Sequence, residues 1–240
     1  MRLDTLLTEK KLARSRTVAG TLIKSGQVTV DGVPVTKPAK EINVTAETKI
    51  QILTQPKYVG RGGLKLEKAL TEFGIDPSGQ TVLDVGASTG GFTDCLLQNG
   101  ARKVYAVDVG TDQLDPRLKK DPRVISQEQT DIRDVKSLPD QIDLVVIDVS
   151  FISLELVLNA VKSLLTEKGK IIALVKPQFE TTRTEKNKSG VVKTAASRAQ
   201  VLEKLSAFCQ KNQLKIQQQI TSPLLGGSGN MEYLLLLEKA

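Results

Sequence analysis

Asp84-Val85-Gly86-Ala87-Ser88-Thr89-Gly90-Gly91-Phe92 is the stretch whose residue types and spacing carry the most chemistry. A strand-like run, Gln80 to Leu83, precedes it, and a helix-like run from Phe92 to Gln98 follows. A second strand-like run, Lys103 to Val107, ends on Asp108. Strand, glycine loop, helix, strand and acid, in that order, bind a nucleoside at the mouth of a parallel sheet. Asp108 falls about twenty residues after the loop, where an acid that holds ribose hydroxyls belongs. A dinucleotide is disfavoured. The G-x-G-x-x-G spacing needs glycine where Ser88 stands, and Asp84 would repel a pyrophosphate. Acids near the loop suit S-adenosylmethionine, which carries a sulfonium and an ammonium group and no phosphate. The expected cofactor contacts are Asp84, Gly86, Ser88, Gly90, Gly91, Phe92 and Asp108, with Asp131 near the adenine and Asp148 at the same mouth.

Four charged residues sit where such a sheet would bring them together: Lys65, Asp148, Lys176 and Glu232. Asp148 ends a strand in Val145-Val146-Ile147-Asp148, and Lys176 ends the next in Ala173-Leu174-Val175-Lys176. Ligands bind outside the carboxyl ends of parallel strands. If the last strand runs antiparallel, its first residue, Glu232, lies at that same edge. Lys65 sits near the start of the helix before the first strand.

The elements that position these groups alternate from Thr81 onward. Strands are expected at 81–85, 103–108, 123–127, 142–148, 170–176, 214–220 and 232–238. Helices are expected at 64–73, 92–99, 153–165 and 195–211. This predicts an α/β fold with a seven-stranded, mostly parallel, doubly wound sheet. A glycine-rich loop, not a helix, joins the last two strands, which allows an antiparallel hairpin.

The front of the chain differs. Residues 1–68 carry 13 Lys or Arg against 6 Asp or Glu, whereas residues 69–240 carry 21 of each. The net charge of +7 therefore sits in the first quarter, as expected of a module that holds a polyanion. Apolar residues recur at helical spacing from Leu3 through Leu12 to Ile23, broken at Arg14-Ser15-Arg16, where Ser15 suits a helix cap. Ser25-Gly26 ends the second helix, Gln27 to Val30 reads as a strand, Asp31-Gly32 as a hairpin turn, and Lys49 to Ile52 as a last short strand. Domains are expected at 1–54 and 64–240, with 55–63 as a linker.

Composition excludes several classes. With Cys95 and Cys209 only, and no His, neither a typical zinc site nor a histidine-activated nucleophile is expected. Aromatic residues make up 3% of the chain, too few for reading single strands mainly by stacking. No apolar run approaches the roughly 20 residues of a membrane helix, and no signal peptide precedes the first helix. A reducing cytoplasm, no membrane and no metal are the expectations.

Residues Arg2-Leu3-Asp4, Leu12-Ala13-Arg14-Ser15-Arg16, Ala19, Leu22 to Gly32 and Lys37-Pro38 resemble the RNA-binding module first seen in small-subunit ribosomal protein S-four. That resemblance implies phosphate contacts from Arg2, Arg14, Arg16, Lys24 and Lys37. Arg61, in the glycine-rich approach to the next helix, and Arg183 join them as RNA-binding candidates. Residues 181–193, which include Arg183, Lys186 and Lys188, form either a lid over RNA or a solvated loop.

Lys65, Asp148, Lys176 and Glu232 resemble the Lys-Asp-Lys-Glu tetrad of FtsJ-like ribose 2′-O-methyltransferases. Together with the front module and Tyr58 to Leu66, nearly the whole chain is similar to the TlyA family, also called hemolysin A. The resemblance implies S-adenosylmethionine-dependent methylation of a ribose 2′-hydroxyl in ribosomal RNA, free or in a subunit, on a cytidine. It also implies Lys176 nearest the hydroxyl, Lys65 tuning it, Asp148 orienting Lys176 and favouring the sulfonium, and Glu232 completing the network. Alternatives are weaker. Asp148-Val149-Ser150-Phe151 lacks the prolines of amine-methylating enzymes, and neither cysteine is placed for cytosine-5 chemistry. A membrane-active toxin lacks an apolar amphipathic helix here. A non-catalytic RNA-binding adaptor would be told apart by methyl transfer from labelled cofactor.

Overall fold

The computed structural model describes residues 1–240 apart from 25, 46, 54, 55, 182–185, 188, 227 and 228. Arg183, Lys188 and Ser25, each assigned a role above, lie outside the described residues. The chain forms two compact units, Met1–Lys57 and Tyr58–Ala240.

In the first unit, α1 (Leu3–Glu9) and α2 (Arg16–Lys24) pack beside a small sheet of β1 (Val28–Val30), β2 (Val33–Pro34) and β3 (Ile50–Ile52). The helical repeat buries Leu3, Leu6, Leu7, Leu22 and Ile23 against Val28. Ser15 Oγ accepts the Val18 N–H at 3.3 Å, as its cap position requires. Asp31 and Gly32 both adopt positive φ, 51° and 79°, which fits the twist of a tight hairpin between β1 and β2. Leu12 departs from expectation. α1 stops at Glu9, Lys11 turns the chain at φ 58°, and Leu12 is left exposed.

The second unit contains β4 (Thr81–Val85), β5 (Lys103–Val107), β6 (Val124–Gln127), β7 (Ile142–Ile147), β8 (Leu165–Val175), β9 (Leu214–Thr221) and β10 (Tyr233–Lys239). They form one sheet in the order β6-β5-β4-β7-β8-β10-β9. β4 to β8 pair in parallel, and β10 runs antiparallel to both β8 and β9. The helices are α3 (Gly62–Phe73), α4 (Gly91–Gln98), α5 (Pro116–Lys119), α6 (Leu154–Lys162), α7 (Pro177–Glu180) and α8 (Ala195–Lys211). Alternate strand residues face opposite helix layers. Val82, Leu144 and Ile172 pack with α3 and α4, while Leu83, Val145 and Ile171 pack with α6 and α8. Burial on both faces makes the central strands continuous apolar runs. Chain order reverses between β4 and β7, so the two neighbouring strands feed loops to one crevice.

Tyr58 to Gly63, read above as linker, belongs to the larger unit. Tyr58 is buried in its core, and the Val59 N–H donates to Asp94 Oδ2 at 2.7 Å. Gly63 permits this. A Cβ there would lie 2.3 Å from the Tyr58 ring.

Candidate active site

The loop between β4 and α4 turns on Gly86. Its φ is 81°, and a Cβ would lie 2.6 Å from the Asp148 backbone oxygen at the end of β7. Only glycine meets both conditions, so the sequence fixes how closely the two loops approach. Ser88 follows at φ 48°, and its N–H donates to Asp108 Oδ2 at 2.7 Å. The Gly110 N–H donates to the other oxygen, also at 2.7 Å. Asp108 is therefore aimed from both sides, with lone pairs left for hydroxyl groups.

A cavity of about 560 Å³ opens here, lined by Gly86, Ser88, Asp108, Asp131 and Asp148 among others. Asp131 caps the short turn Ile132–Asp134 and pairs with Arg133 at 2.5 Å, which holds its carboxyl below the usual range. Three carboxylates face this cavity against one guanidinium that is already paired, so the lining suits a cation and sugar hydroxyls, not a phosphate. A smaller cavity of about 190 Å³ lies against Gly91, Phe92, Asp148, Ser150 and Lys176.

Two expected cofactor residues line neither cavity. Asp84 has no exposed surface and lies beneath the loop, accepting from Thr93 Oγ1 at 2.6 Å. Burial raises its carboxyl to about 7 against the opposing Thr93 hydrogen bond, with a smaller push from the Asp148 charge. Gly90, at φ 92°, turns the loop into α4 against Leu114 and Leu118. The Leu114 segment is itself held by Glu128, which accepts the N–H groups of Asp112, Gln113 and Leu114 and pairs with Lys119. Those bonds, led by Leu114, pull the Glu128 carboxyl down to about 2. No sequence signal marked Glu128, because its partners are backbone groups.

The four charged residues form two ion pairs. Lys65 Nζ lies 2.6 Å from Glu232 Oε2, and both side chains are buried. Lys176 Nζ lies 2.6 Å from Asp148 Oδ1, in a contact whose angle falls outside hydrogen-bond geometry. Lys176 Nζ donates instead to Ser150 Oγ at 2.8 Å. The sheet sets the pairs side by side. Tyr233 of β10 is in register with Val175 of β8, so Glu232 and Lys176 are the next residues at one edge. On α3, a Cβ at Gly62 would lie 3.5 Å from Asp148 Oδ2, and Lys65 follows about one turn later.

The loops after β7 and β8 are tied together. Glu180 accepts from Ser153 Oγ at 2.8 Å and from the Leu154 N–H at 2.7 Å, capping α6. The Phe151 and Phe179 rings lie 5.0 Å apart. Phe151 is 91% exposed on left-handed backbone at φ 66°, a costly state for an aromatic residue and one that clusters at functional sites. In sequence, the motif around Phe151 stands out only for the prolines it lacks.

Of the RNA-binding candidates, Arg2, Arg14, Arg16, Lys24 and Lys37 are exposed on the first unit. Buried Asp4 grips both Arg2 (2.8 Å) and Arg16 (3.3 Å), and the Arg2 hydrogen bond foremost holds its carboxyl far below the usual range. In the larger unit, exposed Arg61 donates to the Leu225 carbonyl at 3.0 Å, tying the start of α3 to the loop before β10.

A doubly wound sheet with an antiparallel strand next to its edge, and an acid-lined cavity at the point where strand order reverses, define a Rossmann-like methyltransferase. Residues 58–239 match the FtsJ-like methyltransferase family, and the chain belongs to it. Residues 1–47 match the S4 domain. The chain is 41% identical to the 16S/23S rRNA (cytidine-2′-O)-methyltransferase TlyA of Mycobacterium tuberculosis, over 98% of this chain and 89% of that protein. It is 40% identical to hemolysin A of Brachyspira hyodysenteriae, over 98% of each. A solved structure from Streptococcus thermophilus, provisionally labelled a hemolysin, superposes with a TM-score of 0.80 at 40% identity, covering 100% of this chain and 88% of that one. Among the described residues no helix is long and apolar enough to cross a membrane, and no cluster of potential metal ligands occurs.

Proposed function

We propose that this methyltransferase uses S-adenosylmethionine to methylate a ribose 2′-hydroxyl of ribosomal RNA, on a cytidine. The observation that carries the reading is the juxtaposition of the Lys65–Glu232 and Lys176–Asp148 pairs at the carboxyl edge of the sheet, beside the acid-lined cavity. The relatives named for cytidine-2′-O methylation of rRNA support the substrate class.

When bound, the cofactor supplies a methyl group on a cationic sulfur. Asp108 would hold its ribose hydroxyls, and Asp148 would offer a negative field to the sulfonium. Lys176 Nζ faces the smaller cavity and would meet the 2′-hydroxyl there, taking its proton as an amine or donating to the developing oxyanion as an ammonium. Lys65 and Glu232 keep a second cation in place without releasing net charge into the site. Exposed Phe151 offers a face to a base that has left its stack. The S4 unit, with its basic surface, would supply most of the RNA affinity.

Labelled S-adenosylmethionine and rRNA test this. The product is expected to be a 2′-O-methyl nucleotide whose 3′ linkage resists alkali. A chain lacking residues 1–57 is expected to bind cofactor and leave rRNA unmodified. Label on a base, or a fully active truncated chain, would refute the reading.

A further inference from the structure

The pairing around Lys176 leaves one geometric question, which way its nitrogen points. Two fixed groups contact that nitrogen, Asp148 Oδ1 at 2.6 Å and Ser150 Oγ at 2.8 Å. We infer that Ser150 is a positioning residue that, with Asp148, fixes the direction in which Lys176 meets the 2′-hydroxyl. This rests on the reading that Lys176 faces that hydroxyl.

A neutral amine has two hydrogens and one lone pair. The Ser150 oxygen accepts one Lys176 N–H and so fixes one corner of the tetrahedron, while the Asp148 carboxylate, in ion-pair contact but outside hydrogen-bond geometry, draws the nitrogen toward itself without occupying a corner. With the Cε–Nζ bond and the N–H to Ser150 both set, the two remaining corners are set in direction, and the one turned away from Asp148 is the reactive corner. As an amine it carries the lone pair that takes the hydroxyl proton. As an ammonium it carries the third N–H, aimed at the oxyanion. With Asp148 alone the nitrogen could swivel about a single contact, and that corner would sweep a cone. Ser150 lines both cavities, as does Asp148, whereas Lys176 lines only the smaller one. The serine thus stands at the junction, holding the lysine on the substrate side. Ser150 precedes the strained Phe151, and the Ser153–Glu180 contact anchors the same loop, so its hydroxyl is not free to drift.

The test compares Ser150→Ala, Ser150→Thr and Lys176→Ala in the full chain. Turnover on rRNA, cofactor affinity by calorimetry, RNA affinity and melting temperature are measured for each. Ser150→Ala is expected to lower kcat by roughly 10- to 100-fold, since small misplacements of a reacting group cost that much. Its KM for RNA and its cofactor affinity should stay within about twofold of the parent, and Ser150→Thr, which keeps the hydroxyl, should recover most of the turnover. A Ser150→Ala enzyme with parental kcat beside an inactive Lys176→Ala enzyme would overturn this inference and leave the Lys176 reading standing. Near-normal turnover in Lys176→Ala would overturn both. A Ser150→Ala enzyme whose defect lies in KM, cofactor affinity or melting temperature at unchanged kcat would assign the serine a structural or ligand-binding role instead. Failure of Ser150→Thr to recover turnover in a folded protein would also count against it.

Discussion

Lys65 and Glu232 stand 167 positions apart in the chain and meet at 2.6 Å in a site that water barely reaches. Removing one partner leaves the other charged and buried. Glu232→Ala is expected to destabilise the larger unit by about 3–5 kcal/mol in urea unfolding and to abolish turnover. Replacing both, as Lys65→Met with Glu232→Leu, should restore most of the stability and none of the activity. A double variant as unstable as the single one would show that the pair's surroundings, not its charges, set the cost.

Asp84 gives the protein a pH dependence of unusual sign. Its carboxyl titrates near 7 when folded and near 3.8 when unfolded, so the folded state holds the extra proton between those values. The stabilising contribution is present below pH 4 and is lost as pH rises through 7. Asp84→Asn, which keeps an acceptor for Thr93, should gain on the parent by on the order of 4 kcal/mol between pH 4 and pH 8. Parallel stability curves for the two proteins would refute the assignment.

Asp108 presents both oxygens on backbone donors, and its loss should be felt by the cofactor alone. Asp108→Ala is expected to weaken S-adenosylmethionine binding by about 1.5–3 kcal/mol in calorimetry. RNA affinity should not change.

Asp4 contacts both the Arg2 and the Arg16 guanidinium groups, and charge counting says its removal should strengthen binding to a polyanion. The opposite is expected, because Asp4 orders both side chains. Asp4→Asn should raise the RNA Kd by roughly fivefold or more, the worth of about 1 kcal/mol in lost orientation. Tighter binding would mean the arginines act as unordered charge.

Much of this molecule is legible in its sequence. The apolar runs from Thr81, Ile142 and Ile171 mark strands because they are covered on both faces, and the spacing from Gly86 to Asp108 fixes the cavity. What the sequence does not show depends on contacts far apart in the chain. Glu128 and Glu180 act through backbone N–H groups that any residue would supply. Ser150 matters only because the ends of β7 and β8 lie side by side. Asp84 has the right type and place for a ligand contact, yet the side chain of a strand's penultimate residue follows the pleat into the core. Tyr58 to Gly63 reads as a linker in sequence, yet its glycines allow close packing.

β10, the last strand in chain order, lies between β8 and β9 and not outside them. A nascent polypeptide that has emitted everything up to Thr221 therefore holds two strands flanking an empty lane, with Lys65 lacking the counterion that Glu232 brings. Competence arrives only once β10 has been made and does not build gradually with length. A premature stop after β9 would leave unpaired sheet edges that invite aggregation, and no partial activity.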